Sequence, residues 1–184
     1  MNRGQIMSED ERKEILDWIY KNKSSFESIY SNRICRVIVE TKEEKNTTEM
    51  NPDVVYPYDP TMPTSIWDIK RRIIEKEGLS EYAKEPLLGD FILIIFYAGS
   101  LPRHIDENVE NNIHCRFNVI LETPIKGGET FYNDKNIGEL TPGSYILCKS
   151  GLENHYTNFI EEGNRITISF GFLIPKERVD TMIF

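Results

Sequence analysis

The sequence predicts a single, mainly β domain of the sandwich or barrel type with helices ahead of it, and three observations support that reading. Beyond Pro86, short β-like runs at Phe91–Ala98, Ile113–Leu121, Glu129–Tyr132, Ser144–Cys148 and Ile166–Leu173 follow one another with no helical pattern between them. Turn-forming stretches such as Thr141-Pro142-Gly143 and Ile125-Lys126-Gly127-Gly128 separate them, and strands so spaced close into a sandwich or a barrel. Before Pro86, apolar residues recur at helical spacing instead. The length of 184 residues, with 39% apolar and 28% charged residues, suits one globular core rather than a disordered chain.

Taken in order, the first element is a helix. Ser8 and Glu11 match a capping box, Glu9 and Asp10 suit the positive end of the helix dipole, and Ile15, Leu16 and Ile19 form an apolar stripe. Ile34–Glu40 reads as a strand. Thr41–Pro63, with Pro52, Pro57, Pro60 and Pro63, reads as a loop, and a connection of that length inside a compact domain is usually functional or disordered. A second helix is expected over Thr64–Glu77, with Ile66, Ile69 and Ile73 on one face and Gly78 as its C-terminal cap. The whole chain, 1–184, thus reads as one domain: residues 1–85 a helical N-terminal support region and loop, residues 86–175 the β core. The helices are expected to pack on the outside of one sheet.

Composition excludes several classes. Lys and Arg number 22 against 30 Asp and Glu, a formal charge of −8, whereas a surface that tracks phosphates needs the opposite sign. Nucleic acid is therefore a disfavoured partner. No apolar run approaches the ~20 residues of a membrane-spanning helix, and the N-terminus lacks the apolar core of a signal peptide. The three cysteines, Cys35, Cys115 and Cys148, are far apart and odd in number. They read as reduced thiols of a cytoplasmic protein.

Chemistry concentrates in the β region. His104 and Asp106 lie just past the strand that ends near Ala98, and residues i and i+2 of extended chain point the same way. An imidazole and a carboxylate side by side can hold one cation, and His155 can close the site from a neighbouring strand. Two histidines and one carboxylate on one face of a metal make the facial triad of non-haem Fe(II) oxygenases; an ordinary loop surface is the alternative reading of so short a pattern. Arg165 stands ten residues after His155 and opens an alternating strand. Ile166, Ile168, Phe170 and Phe172 form its apolar face, and Arg165, Thr167, Ser169 and Gly171 the other. Ile113–Leu121 divides likewise, with Cys115, Phe117, Val119 and Leu121 opposed to His114, Arg116, Asn118 and Ile120. The polar faces either look at water or line a cavity in which an arginine needs an anionic partner.

With these residues in view, the segment from about Phe91 to Ile174 resembles the Fe(II)/2-oxoglutarate-dependent oxygenases, most closely those similar to prolyl 4-hydroxylases. The resemblance rests on an ordered set: His104-Ile105-Asp106, Gly127-Gly128-Glu129-Thr130, Leu140-x-Pro142-Gly143, His155 and Arg165-Ile166-Thr167. It covers less than half of the chain. The pattern departs from prolyl 4-hydroxylases themselves at Arg165, where they commonly carry lysine, and Thr167 replaces a commoner serine.

The resemblance implies a double-stranded β-helix, or jelly-roll, with Fe(II) bound by His104, Asp106 and His155. It further implies that Arg165 and Thr167 hold the distal carboxylate of 2-oxoglutarate. Tyr97 and Asn118 are candidates for the cosubstrate, and Arg116 for either cosubstrate or substrate. His114 reads as a strand-edge or surface histidine. The implied activity is a dioxygenase that consumes dioxygen and 2-oxoglutarate to hydroxylate an unactivated C–H bond. An aspartate at position 106 favours hydroxylation over halogenation. Relatives with the Gly-Gly-Glu-Thr stretch act mainly on protein side chains, which makes a peptide the first expectation for the substrate. A free amino acid or small metabolite is the alternative, as is a catalytically inert, cupin-like metal-binding jelly-roll. Thr41–Pro63 and Glu107–Asn112 are candidate lids.

Overall fold

The computed structural model of the chain describes residues 2–23, 34–39, 54–56, 59–84 and 89–182. Its strands are β1 (Asn2–Gln5), β2 (Ile34–Ile38), β3 (Val54–Tyr56), β4 (Ala83–Lys84), β5 (Phe91–Ile95), β6 (Asn112–Glu122) and β7 (Lys126–Gly127). They continue with β8 (Thr130–Tyr132), β9 (Lys135–Asn136), β10 (Ser144–Cys148), β11 (His155–Thr157), β12 (Ile160–Glu162) and β13 (Arg165–Pro175). The helices are α1 (Glu9–Lys21), α2 (Ser65–Glu77) and α3 (Lys176–Thr181).

Helix α1 starts where the capping box sets it. The Ser8 hydroxyl accepts from the Glu11 amide at 3.2 Å, and the Glu11 carboxylate accepts from the Ser8 amide at 2.8 Å. It buries Ile15, Trp18 and Ile19. Helix α2 buries Ile66, Ile69 and Ile73 and ends at Gly78, whose left-handed conformation (φ 66°) closes the last turn.

Among the described residues, eight strands form the main sheet in the order β1-β10-β6-β13-β5-β2-β3, with β4 also on β13, and of these pairs only β2 with β3 runs parallel. β11-β8-β9 and β12-β7 form two small sheets. The main core lies between one face of the large sheet and the helices. There Phe117, Val119, Ile168 and Phe170 meet Ile15, Ile19, Ile66, Ile69 and Ile73, so the helices pack outside one sheet as expected. Inside this layer Lys70 and Asp90 form a buried ion pair, and Asp90 also accepts from the Gly171 amide at 3.2 Å. On the sheet's other face, Ile120, Ile146 and Cys148 cluster with Tyr132 of β8, while Ile34 and Ile95 cluster with Ile160 of β12. These two clusters tie the small sheets to the large one, and a cavity opens on the face they share. The architecture is a jelly-roll.

Besides the strand expected at Ile34, β1 and β3 of the N-terminal region also join the main sheet. Two expectations need correction. Thr41–Pro63 is not wholly a loop: Val54–Tyr56 pairs with Cys35, Arg36 and Val37 of β2, a three-residue strand too short for alternation to reveal. Residues 41–53, 57 and 58 of that stretch, and residue 40 at the end of the expected strand before it, lie outside the described residues. Finally, the strand predicted to reach Ala98 stops at Ile95, where the chain turns through Ala98 at φ 60°.

Candidate active site

One cavity of about 170 Å³ collects His104, Asp106, His155, Arg116, Asn118, Arg165 and Thr167. His104 and His155 face each other across a β-bridge, with the His104 amide donating to the His155 carbonyl at 3.3 Å and the reverse bond at 2.9 Å. The Asp106 amide is tied to the Ser150 carbonyl at 2.8 Å. Backbone pairing thus delivers all three side chains to one place, and each offers a ligand atom within 4.8 Å of the others.

The imidazole tautomers are set by neighbouring carbonyls. His104 Nδ1 lies 2.7 Å from the Pro102 oxygen and His155 Nδ1 lies 3.1 Å from the Glu153 oxygen. A carbonyl only accepts, so each Nδ1 carries the proton and each Nε2 keeps its lone pair for a metal. Burial holds the His155 imidazole below its ordinary range and hence neutral at pH 7. Burial alone would raise the Asp106 carboxyl, but Arg116, His114 and His155 together outweigh it and hold the group below the usual carboxylate range. Two imidazoles that turn Nε2 to the same place as one carboxylate are a donor set suited to a divalent cation.

The alternation read in the sequence places the remaining residues. β6 presents His114, Arg116 and Asn118 to the cavity and its other face to the core; β13 does the same with Arg165, Thr167 and Ser169. Arg165 is 6% exposed, and burial pulls its guanidinium below its ordinary value. It donates to the Thr130 hydroxyl and, at 3.4 Å, to the Gly128 carbonyl, while its buried Nε has no hydrogen-bond partner among the described residues. Gly128 holds that carbonyl in place at φ 70°, where an added Cβ would lie 2.7 Å from Pro124 Cγ; a side chain at 128 is excluded by both shape and backbone.

Two sequence expectations fail here. Tyr97 is 57% exposed and does not line the cavity, because the strand that was to aim it inward ends at Ile95. His114 is no surface histidine: it is 2% exposed in β6, between β10 and β13, with Nδ1 3.6 Å from an Asp106 oxygen. Sequence reasoning also missed Tyr132. This tyrosine lies opposite His155 in the β8–β11 pair and lines the cavity, its phenol in contact with Asn118 and Cys148. Burial raises that phenol well above its ordinary range, so it remains protonated. The alternation Thr130-Phe131-Tyr132 was the available signal. Arg36 of β2 and Phe91 of β5 are further lining residues that no motif marks. Segment Glu107–Asn112 is anchored: Asn108 accepts from the His114 amide at 2.9 Å and donates to the Gly151 carbonyl at 2.8 Å. Cys35, Cys115 and Cys148 are buried free thiols, and among the described residues no helix is long and apolar enough to cross a membrane.

No family model and no curated protein matches the chain. Solved structures do. A viral collagen prolyl hydroxylase from Paramecium bursaria Chlorella virus-1, solved as a 2-oxoglutarate complex, superposes with a TM-score of 0.60 at 13% identity, over 96% of each chain. A Pseudomonas putida prolyl-4-hydroxylase gives 0.57 at 11% identity, over 95% of this chain and 91% of its own. A Trichoplax adhaerens prolyl hydroxylase, in complex with a peptide fragment of a hypoxia inducible factor, gives 0.56 at 14% identity, over 100% and 87%. The likeness read from the motifs therefore holds at the level of architecture, and the chain has the fold of the prolyl 4-hydroxylases among the Fe(II)/2-oxoglutarate oxygenases.

Proposed function

We propose that this protein is an Fe(II)- and 2-oxoglutarate-dependent dioxygenase that hydroxylates an unactivated C–H bond. The observation that carries the reading is the His104–Asp106–His155 cluster, with both imidazoles in the metal-binding tautomer, in one cavity with the buried cation Arg165. His104 and His155, through Nε2, and an Asp106 oxygen hold the metal. Arg165 holds the distal carboxylate of 2-oxoglutarate, assisted by the hydroxyls of Thr167 and Thr130. A guanidinium buried without a carboxylate partner among the described residues is costly, and a bound carboxylate relieves that cost with two parallel hydrogen bonds. Asn118 and Tyr132 line the same cavity and orient the cosubstrate. When bound, the iron would activate dioxygen with 2-oxoglutarate as the sacrificial reductant: one oxygen atom would end in the C–OH and the other in succinate, with release of carbon dioxide. The protein orients the parts and keeps water away from them.

A peptide side chain is the first substrate to test. Phe131 and Tyr156 stack at 4.8 Å between centroids as a half-buried aromatic pair, and Tyr156 itself lines the cavity. Such a platform suits a chain laid across the entrance. The test is succinate release with Fe(II), 2-oxoglutarate and air, screened over peptide and small-metabolite pools. Release should depend on one component of a pool and vanish in Asp106→Ala. Iron-loaded protein that binds 2-oxoglutarate yet forms no succinate with any pool would favour the inert jelly-roll.

A further inference from the structure

Where β6 begins, an asparagine side chain takes the place of a strand. The pairing of β10 with β6 runs from Tyr145 opposite Val119 to Cys148 opposite Arg116. Continued in that register it would set Ser150 opposite His114. Residues so paired exchange amide and carbonyl hydrogen bonds. The His114 carbonyl is met from that side: it accepts from the Gly151 amide at 2.8 Å and from the Ser150 hydroxyl at 3.1 Å. The His114 amide donates to Asn108 Oδ1 at 2.9 Å. The Ser150 carbonyl accepts from the Asp106 amide at 2.8 Å. Asn108 thus supplies the acceptor that the next residue of β10 would have offered, and the backbone of Asp106 takes the Ser150 carbonyl.

The other end of the Asn108 amide is also used. Its Nδ2 donates to the Gly151 carbonyl at 2.8 Å, so one half-buried side chain ties β6 to the chain leaving β10. Gly151 is shaped to receive it. A Cβ there would overlap Asn108 Oδ1 and lie 2.7 Å from its Cγ. Gly151 is not among the glycines of positive φ, so its lack of a side chain serves this contact and not an unusual backbone angle. His104 and His155 are held separately, by the β-bridge between them.

We infer that Asn108, seated on Gly151, is a positioning residue for the carboxylate of Asp106: it fixes Ser150 against β6 and so pins the Asp106 backbone, and it acts on a bound metal through Asp106 alone. This rests on the reading of Asp106 as a metal ligand in the proposed dioxygenase.

Two readouts on the full chain test it, one of them without metal. The first is native-state amide exchange of the metal-free protein, followed by NMR. In Asn108→Ala the Asp106 amide should lose protection at least tenfold, while the His104 and His155 amides change less than twofold. The second is calorimetry with Co(II) under nitrogen. Removing a residue that orients a metal ligand typically weakens binding by about 10–100-fold, and Asn108→Ala should fall in that range. In an Asp106→Ala background, where the imidazoles alone bind, adding Asn108→Ala should change the affinity less than twofold. Gly151→Ala should reproduce both effects by displacing the amide, and joined to Asn108→Ala it should cost less than the sum of the two. If Asn108→Ala does not fold, Gly151→Ala carries both readouts; if Asp106→Ala binds no Co(II), amide exchange decides alone. Protection at Asp106 that is unchanged, or that falls equally at His104 and His155, overturns the inference. So does an unchanged Co(II) affinity, or an equal loss in the Asp106→Ala background, since Asn108 would then be a general support of the fold. Should the parent protein itself bind no Co(II), the metal-centre reading falls, and amide exchange still decides whether Asn108 pins Asp106.

Discussion

Replacing Arg165 with leucine should make the protein more stable and less able to bind 2-oxoglutarate, two effects of opposite sign from one change. In the ligand-free protein the guanidinium is buried, with no carboxylate beside it among the described residues. Exchanging a buried charge for a well-packed apolar side chain is often neutral to stabilising by about 1–4 kcal/mol. Against this stand two hydrogen bonds, to Thr130 Oγ1 and to Gly128 O, contributing about 0.5–1.5 kcal/mol each. At the middle of these ranges the balance lies near ~0.5 kcal/mol in favour of the variant, or about one to two degrees in melting temperature for a chain of this size. Binding moves the other way. Two charge-assisted hydrogen bonds to a carboxylate contribute about 1.5–3 kcal/mol each, so affinity should fall by roughly two to four powers of ten. Scanning calorimetry without ligand and titration calorimetry with Mn(II) and 2-oxoglutarate read the two halves. A variant that melts lower and keeps its 2-oxoglutarate affinity would refute the reasoning, since Arg165 would then be a structural cation and not an anion receptor.

Three further predictions concern the metal cluster, the core and the thiols. His155→Ala should reduce Mn(II) or Fe(II) stoichiometry from one towards zero with little change in circular dichroism, because this side chain lines the cavity rather than the main core; unchanged stoichiometry refutes the assignment. Asp90→Ala leaves the Lys70 ammonium buried without its carboxylate and the Gly171 amide without its acceptor. It should lower unfolding free energy by about 3–5 kcal/mol in urea titrations, whereas Lys70→Met with Asp90→Leu should recover most of the loss. Burial pushes the Cys35 and Cys115 thiols from 9.0 up to about 12. A pKa raised on folding contributes stability that is complete below the unfolded value and lost on the way to the folded one. Stability should therefore decline between pH 9 and pH 12, at up to about 1.4 kcal/mol per pH unit for each thiol. Urea midpoints that move no less in a Cys35→Ala, Cys115→Ala variant than in the parent would show the thiols are not responsible.

The parts of the site that were legible in the sequence are those fixed by strand parity. Ile166 and Phe170 against Arg165 and Thr167, or Cys115 and Phe117 against Arg116 and Asn118, sort correctly to core and cavity because a strand has only two faces. Capping chemistry likewise set the start of α1 at Ser8 and the end of α2 at Gly78. Parity fails where a strand ends, and it misplaced Tyr97 because nothing in Phe91–Ala98 marks the turn at Ala98. It also says nothing about distant partners. Whether the polar face of β6 met water or a cavity depended on β8 and β11 being tied across it by Tyr132, Ile120 and Ile146, contacts far apart in the chain. His114 was misread for the same reason. Arg36 was invisible as a lining residue because its strand lies outside the motif-bearing segment and reaches the cavity only through its pairing with β5.

The reciprocal backbone bonds between His104 and His155 have a kinetic consequence. A chelating site assembled from mobile loops must give up chain freedom each time an ion arrives, and that loss lowers its affinity. Here the loss is incurred during folding, because the two imidazoles are carried by residues already hydrogen-bonded to each other, and Asp106 by one bonded to Ser150. For a metal bound here as proposed, the three donors would act as a pre-assembled polydentate ligand. Release would proceed by rotation of one side chain at a time, while the backbone bridge keeps the freed imidazole beside the ion and favours its return.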